Sequence, residues 1–233
     1  MDSLPQQLAR YTREIGERYL PSMKVGTVFM GDRLGRGGDH TPSQWEGFAA
    51  VRISTPNETY VNQHHATDTL GNMSVPYTTK VAKVNLVVAA NLALAPQPPI
   101  VMPEPRTGGA RQGAAPAVPV AVPGAAPITG GRRPGPMIAR GTGYDAVLRW
   151  RAAGPEDDIK GYTIVIRPTT SPFWEQEIYV GKVTTYTLKD VSIDDAKFGI
   201  KAIGANGMES LVTAYVYPAR QKTEIELVTD PRP

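Results

Sequence analysis

The three histidines, His40, His64 and His65, all lie between residues 39 and 68, a stretch that also holds Asp39 and Asp68, and the chain has no cysteine. Imidazole and carboxylate are the donors that a borderline-soft divalent ion such as zinc takes when thiolate is absent. Metal chemistry is therefore expected in this stretch and nowhere else in the sequence. A plainer role stands beside it, because an individual histidine is more often a surface or core side chain than a ligand. The adjacent His64 and His65 project in different directions from an extended or loop backbone, so at most one of them faces a given ion.

The order of residues around the histidines is more specific. Gly37-Gly38-Asp39-His40-Thr41-Pro42 is followed by Gly47-Phe48-Ala49-Ala50-Val51-Arg52, then by Tyr60 and His64-His65-Ala66-Thr67-Asp68-Thr69. This run resembles the closing part of the co-catalytic zinc peptidases, the family of bacterial secreted aminopeptidases and of glutamate carboxypeptidase. The resemblance implies that His64, four residues before Asp68, is a zinc ligand and that His65 is not. It places Asp39, His40 and Asp68 beside the metal or in support of its loop, and Arg52 where it can bind a substrate carboxylate. The alternative for Arg52 is an ordinary surface ion pair. Ser43 and Gln63 stand where the family commonly has aromatic residues.

The resemblance also implies a peptide substrate, two zinc ions in the complete enzyme and an extracellular or periplasmic location. Two-metal hydrolysis needs a carboxylate base and further ligands, which the family carries upstream of this run. Only 31 residues precede Asp32 here. The expectation is a C-terminal portion of a metallo-exopeptidase that is inactive alone.

These residues need elements to hold them. Leu4, Leu8, Tyr11, Ile15 and Tyr19 recur at helical spacing after Ser3, a suitable N-cap, with Pro5 in the first turn and Pro21 as the stop. A buried strand is predicted from Lys24 to Met30. Gly35, Gly37 and Gly38 then form a turn. Thr41 and Pro42 open a short helix through Glu46, Phe48 to Ser54 reads as a second strand, and residues 55 to 74 form the histidine loop. Tyr77, Val81, Val84, Val88 and Leu92 predict another amphipathic helix ending before Pro96. Together residues 1–95 read as the end of an α/β layered domain.

Residues 96–140 contain 11 Pro and 7 Gly and no aromatic side chain. Such a segment buries too little surface to offset its own ordering and is predicted to be a flexible linker whose two ends need not pack together. Residues 141–219 hold short alternating segments between turn residues, the pattern of a β-sandwich. Trp150, Gly161-Tyr162, Tyr186-Thr187-Leu188, Phe198 and Ala205-Asn206-Gly207 resemble a fibronectin type III domain, which implies that Trp150 and Tyr162 are core residues. Phe173 and Trp174 are then the aromatic pair available for an exposed role or for edge packing. Residues 220–233 are a tail.

A net charge of +3 is too small to argue for nucleic acid, and Arg106, Arg111, Arg132, Arg133 and Arg140 lack aromatic neighbours for base stacking. Residues 2–20 carry Asp2, Glu14 and Glu17 without a continuous apolar core, so no signal peptide is read there. Val84 to Ala95 is too short and too polar to span a membrane. A rival reading remains, in which the chain is a non-catalytic adaptor acting through an unknown ligand of its sandwich.

Overall fold

The computed structural model describes residues 2–29, 37–57, 59–103, 137–140 and 145–216. Helix α1 runs Leu4–Tyr19. At its start the Ser3 backbone N–H donates to Gln6 Oε1 at 3.2 Å, filling a donor that the helix itself cannot satisfy. Helix α2 is a short turn at His40–Trp45, beginning two residues earlier than Thr41 as N-cap and Pro42 as first helical residue predict. Helix α3 runs Val75–Leu94.

α1 and α3 cross closely at Gly16, where a Cβ would lie 3.0 Å from Val84 Cγ1. Tyr11, Ile15, Val84 and Val88 form a small core between the two helices, and Val25 and Leu211 pack against it. The buried face of α1 is not the predicted apolar stripe. Gln7, Arg10 and Thr12 are buried with Tyr11 and Ile15, whereas Leu4 and Tyr19 are about half exposed. Polar side chains can occupy that face because each finds a partner: Gln7 accepts from Trp174, Arg10 donates to the Pro172 carbonyl, and Thr12 donates to the Leu8 carbonyl of its own helix.

Eight strands follow or flank this pair: β1 Ile100–Val101, β2 Ala139–Arg140, β3 Ala146–Arg151, β4 Ile159–Pro168, β5 Gln176–Gly181, β6 Thr185–Leu188, β7 Ala196–Gly204 and β8 Thr213–Ala214. They build two antiparallel sheets, one from β1, β2, β3 and β6 and one in the order β5-β4-β7-β8. Alternating side chains from both sheets, including Leu148, Trp150, Tyr162, Ile164, Phe198 and Ile200, fill a single core. Trp150 and Tyr162 meet edge to face with ring centroids 5.7 Å apart, as expected of core residues.

The predicted strands at 24–30 and 48–54 are extended backbone without a ladder partner among the described residues. An extended run becomes a strand only when a neighbour takes its hydrogen bonds. Val28, Phe48 and Ile53 lie exposed along these two runs. Residues 2–95 thus show a helical pair with extended segments and no sheet among the described positions.

The Pro/Gly-rich tract differs from its expectation at both ends. Ile100 and Val101 pair with Arg151 and Trp150, and Ala139 and Arg140 pair with Val147 and Ala146. Two segments on either side of the tract, Ile100–Val101 and Ala139–Arg140, therefore both pair with the one strand β3. The connection between α3 and the sandwich is the short run 95–99. Pro99 is fully buried, and Thr213 Oγ1 donates to its carbonyl at 2.6 Å. Composition hid this because Ile100, Val101 and Ile138 are few apolar residues among many prolines, and only the partner strand reveals them.

Candidate functional site

Four short segments converge on one open cavity of about 500 Å³, lined by Gly37, Gly38, Asp39, His40, Val51, Arg52, Tyr60, Gln63 and His64. The first segment is the glycine turn that feeds α2. Gly38 donates its N–H to Thr41 Oγ1 at 3.1 Å and accepts from the Thr41 N–H at 2.9 Å, closing the turn onto the helix. A Cβ on Gly38 would press to 2.9 Å from His40 Nδ1 and 3.9 Å from Arg52 Cδ. Glycine here lets His40 and Arg52 come together over the backbone.

The second wall is the histidine loop, a chain of tight turns. Gln63 donates its N–H to the Tyr60 carbonyl at 3.2 Å, His65 to Asn62 at 3.1 Å and Asp68 to His65 at 3.0 Å. Within it His64 has φ +63°, a left-handed conformation that non-glycine residues seldom adopt. That conformation costs of order 1 to 3 kcal/mol and persists only where surroundings impose it. His64 is consequently turned into the cavity, while His65 and Asp68 are not among its lining residues.

Of the residues the sequence singles out, the structure gathers Asp39, His40, Arg52 and His64 and leaves Asp68 in the turn beyond. Tyr60, part of the run that carries the resemblance, and Gln63, the residue before His64, join the lining. Among the described residues, no three His, Cys, Asp or Glu side chains come together where they could hold a metal ion. The described residues therefore do not by themselves fit a zinc centre, which normally requires at least three protein ligands. No helix among the described residues is long and apolar enough to cross a membrane.

Phe173 and Trp174 are not exposed in the way an adaptor surface requires. Arg13 lies 4.0 Å over the Phe173 ring, Phe29 stands 5.9 Å from it, and Trp174 Nε1 donates to Gln7 Oε1 at 3.1 Å. Edge packing against the helical layer, the plainer of the two expectations, uses both rings.

No family model matches the chain. It is similar to proteins named probable zinc metalloprotease from fungi. One from Pyricularia oryzae is 33% identical over 225 residues, covering 91% of this chain and 38% of that protein. One from Pyrenophora teres f. teres is 29% identical over 227 residues, covering 94% of this chain and 40% of that protein. Among solved structures, the chain is similar to a human fibronectin type III domain at a TM-score of 0.25 and 18% identity, covering 33% of this chain and 63% of that one. The chain spans about two fifths of the length of the curated relatives it matches.

Proposed function

We propose that this chain is part of a zinc-dependent metallo-exopeptidase of the aminopeptidase type, and that the cavity around His64 is its contribution to substrate and metal binding. The observation that carries this reading is the meeting of Asp39, His40, Arg52 and His64 in one cavity, from positions up to 25 apart in the chain. Fungal relatives with zinc metalloprotease names support it. His64 supplies one imidazole ligand, and the remaining ligands and the general base come from groups outside the described residues. The Arg52 guanidinium is suited to a planar carboxylate, which it can hold through two parallel hydrogen bonds. The exposed apolar runs at 24–29 and 48–54 are suited to a sheet completed by further chain, as the α/β layering requires. The adaptor reading is less favoured, because its best aromatic pair is engaged within the molecule.

A chimera tests the proposal. This chain, set in place of its aligned region in the Pyricularia oryzae relative, should hydrolyse aminoacyl nitroanilides in a zinc-dependent manner, and the chain alone should not. His64→Ala in the chimera should abolish turnover, while His65→Ala should leave zinc content nearly intact. Full activity in His64→Ala, or its loss in His65→Ala, overturns the ligand assignment.

A further inference from the structure

The contact between α1 and the sandwich is built mainly from charge, and most of that charge is shielded from water. At one end Asp2 lies between Arg10 and Arg167. At the other, Lys201 of β7 is 2% exposed and faces carboxylates from three directions. It donates to Glu177 of β5 at 2.8 Å and to Glu209, in the turn after β7, and lies 3.7 Å from Glu14 of α1. Arg18 of α1 bridges Glu14 at 2.6 Å and Glu209 at 3.2 Å. The Tyr11 hydroxyl donates to the Glu209 carbonyl at 3.1 Å. Arg13, Glu17 and Lys24 pair separately at the outer margin of α1.

Four cations thus face four carboxylates across the contact: Arg10, Arg18, Arg167 and Lys201 against Asp2, Glu14, Glu177 and Glu209. We infer that this contact is an acid-releasable latch, closed at neutral pH and opening when its carboxylates take up protons, before either module unfolds. Once the carboxylates are neutral, the buried Arg10, Arg167 and Lys201 are left without counter-charges, while Arg18, about half exposed, keeps access to water. An uncompensated buried charge is far more costly than a buried pair. Each module has its own buried cluster, with Leu211 of the sandwich packed against the helical one, and the two are joined by the short run 95–99, so release of the contact exposes Leu211 and leaves most of each cluster in place.

Glu14 and Glu209 act in opposite senses. Burial raises Glu14 above the usual glutamate value and outweighs the pull of Lys201, so Glu14 takes up its proton more readily in the closed contact than in the open one and opposes release. Burial also opposes ionisation of Glu209, but the hydrogen bond and charge of Lys201, with Arg18 beside it, hold it below the usual value. A depressed carboxylate contributes stability above its unfolded pKa and loses it as pH falls through its folded one, so Glu209 ties release of the contact to acid. Burial would lower the Lys201 ammonium, yet Glu14, Glu177 and Glu209 keep it raised, so the cation persists throughout the descent.

The test follows the full chain from about pH 7 to about pH 2, a range that takes depressed carboxylates through their protonation, by small-angle scattering, far-UV circular dichroism and calorimetry. The radius of gyration should rise while the dichroism is retained, and one calorimetric transition should become two. Lys201→Met removes the cation that needs compensation and should move the opening midpoint to lower pH. Glu209→Gln removes the carboxylate that ties release to acid and should move it higher. A chain that stays compact throughout, one that expands only as its dichroism is lost, or midpoints unmoved in both variants would each overturn the latch.

Discussion

Asp2 and Arg167 are 165 positions apart, and their side chains meet in a two-toothed ion pair at 2.9 and 3.0 Å with only 3% and 5% of their surfaces exposed. Asp2 also accepts from Arg10 at 3.1 Å, and Arg10 in turn donates to the Pro172 carbonyl at 2.6 Å. The Arg10 and Arg167 guanidiniums both lie over the Trp174 ring, at 5.6 and 5.3 Å. One carboxylate thus holds two buried guanidiniums stacked on one indole, and it ties the start of the chain to the end of β4.

Asp2→Asn should therefore cost about 3 to 5 kcal/mol, the usual penalty for breaking a buried pair by removing one partner. The amide keeps the shape but leaves two buried cations without an anion. Denaturant unfolding of the full chain at neutral pH measures this directly. A loss below about 1 kcal/mol, the worth of an exposed pair, would mean that the cluster is open to water.

The same contact changes what a cut chain should do. Composition predicts a flexible linker at 96–140 whose two ends need not pack together, but Ile100–Val101 and Ala139–Arg140 both pair with β3. A chain cut at a protease site introduced between them should elute from a sizing column at neutral pH as one complex. Separation of the two fragments without denaturant would contradict the pairing of β1 with the sandwich.

Gly199→Ala tests the packing of the outer face of the β5-β4-β7-β8 sheet. A Cβ at Gly199 would overlap Val212 Cγ1, and would sit 2.9 Å from Val165 Cγ2 and 3.2 Å from Trp174 Cη2. Overpacking of this kind typically costs about 1 to 3 kcal/mol. The loss should appear as a lower melting temperature with a shifted Trp174 emission, since the indole is one of the groups that must move. An unchanged melting temperature would show that this face is loosely packed.

The sandwich was legible because its signal is local: alternation in Ala146–Arg151 and Gln176–Gly181, with turn residues between, needs no knowledge of distant partners. The gathering of Asp39, His40, Arg52 and His64 was legible from a family resemblance, not from periodicity. What escaped notice depends on contacts between distant residues. Gln7 and Arg10 read as the polar side of an amphipathic helix, and only the acceptors and rings of the loop 168–174 make them interior residues. Lys201 reads as an outward strand position, and it is buried because α1 lies across the sheet. Ile100 and Val101 read as part of a proline tract until β3 is placed beside them. Strands at 24–30 and 48–54 were predicted from side-chain pattern alone, and pattern cannot supply the neighbour that a ladder requires.

His64 carries two properties, a left-handed backbone and an imidazole, and substitutions can separate them. Asparagine tolerates φ near +63° better than most residues but offers no ring nitrogen, so His64→Asn should unfold within about 0.5 kcal/mol of the unsubstituted chain. Valine is branched at Cβ and resists that conformation, so His64→Val should lose about 1 to 2 kcal/mol or rearrange the turn at Asn62–His65. If the imidazole serves as a ligand, both variants in the fungal chimera should lose zinc-dependent hydrolysis, including the well-folded His64→Asn. Parallel denaturation of the isolated variants and nitroanilide kinetics of the chimeras give the comparison. Normal hydrolysis by His64→Asn would show that the strained turn shapes the cavity while its ring binds nothing, and the ligand would then have to be sought at another residue.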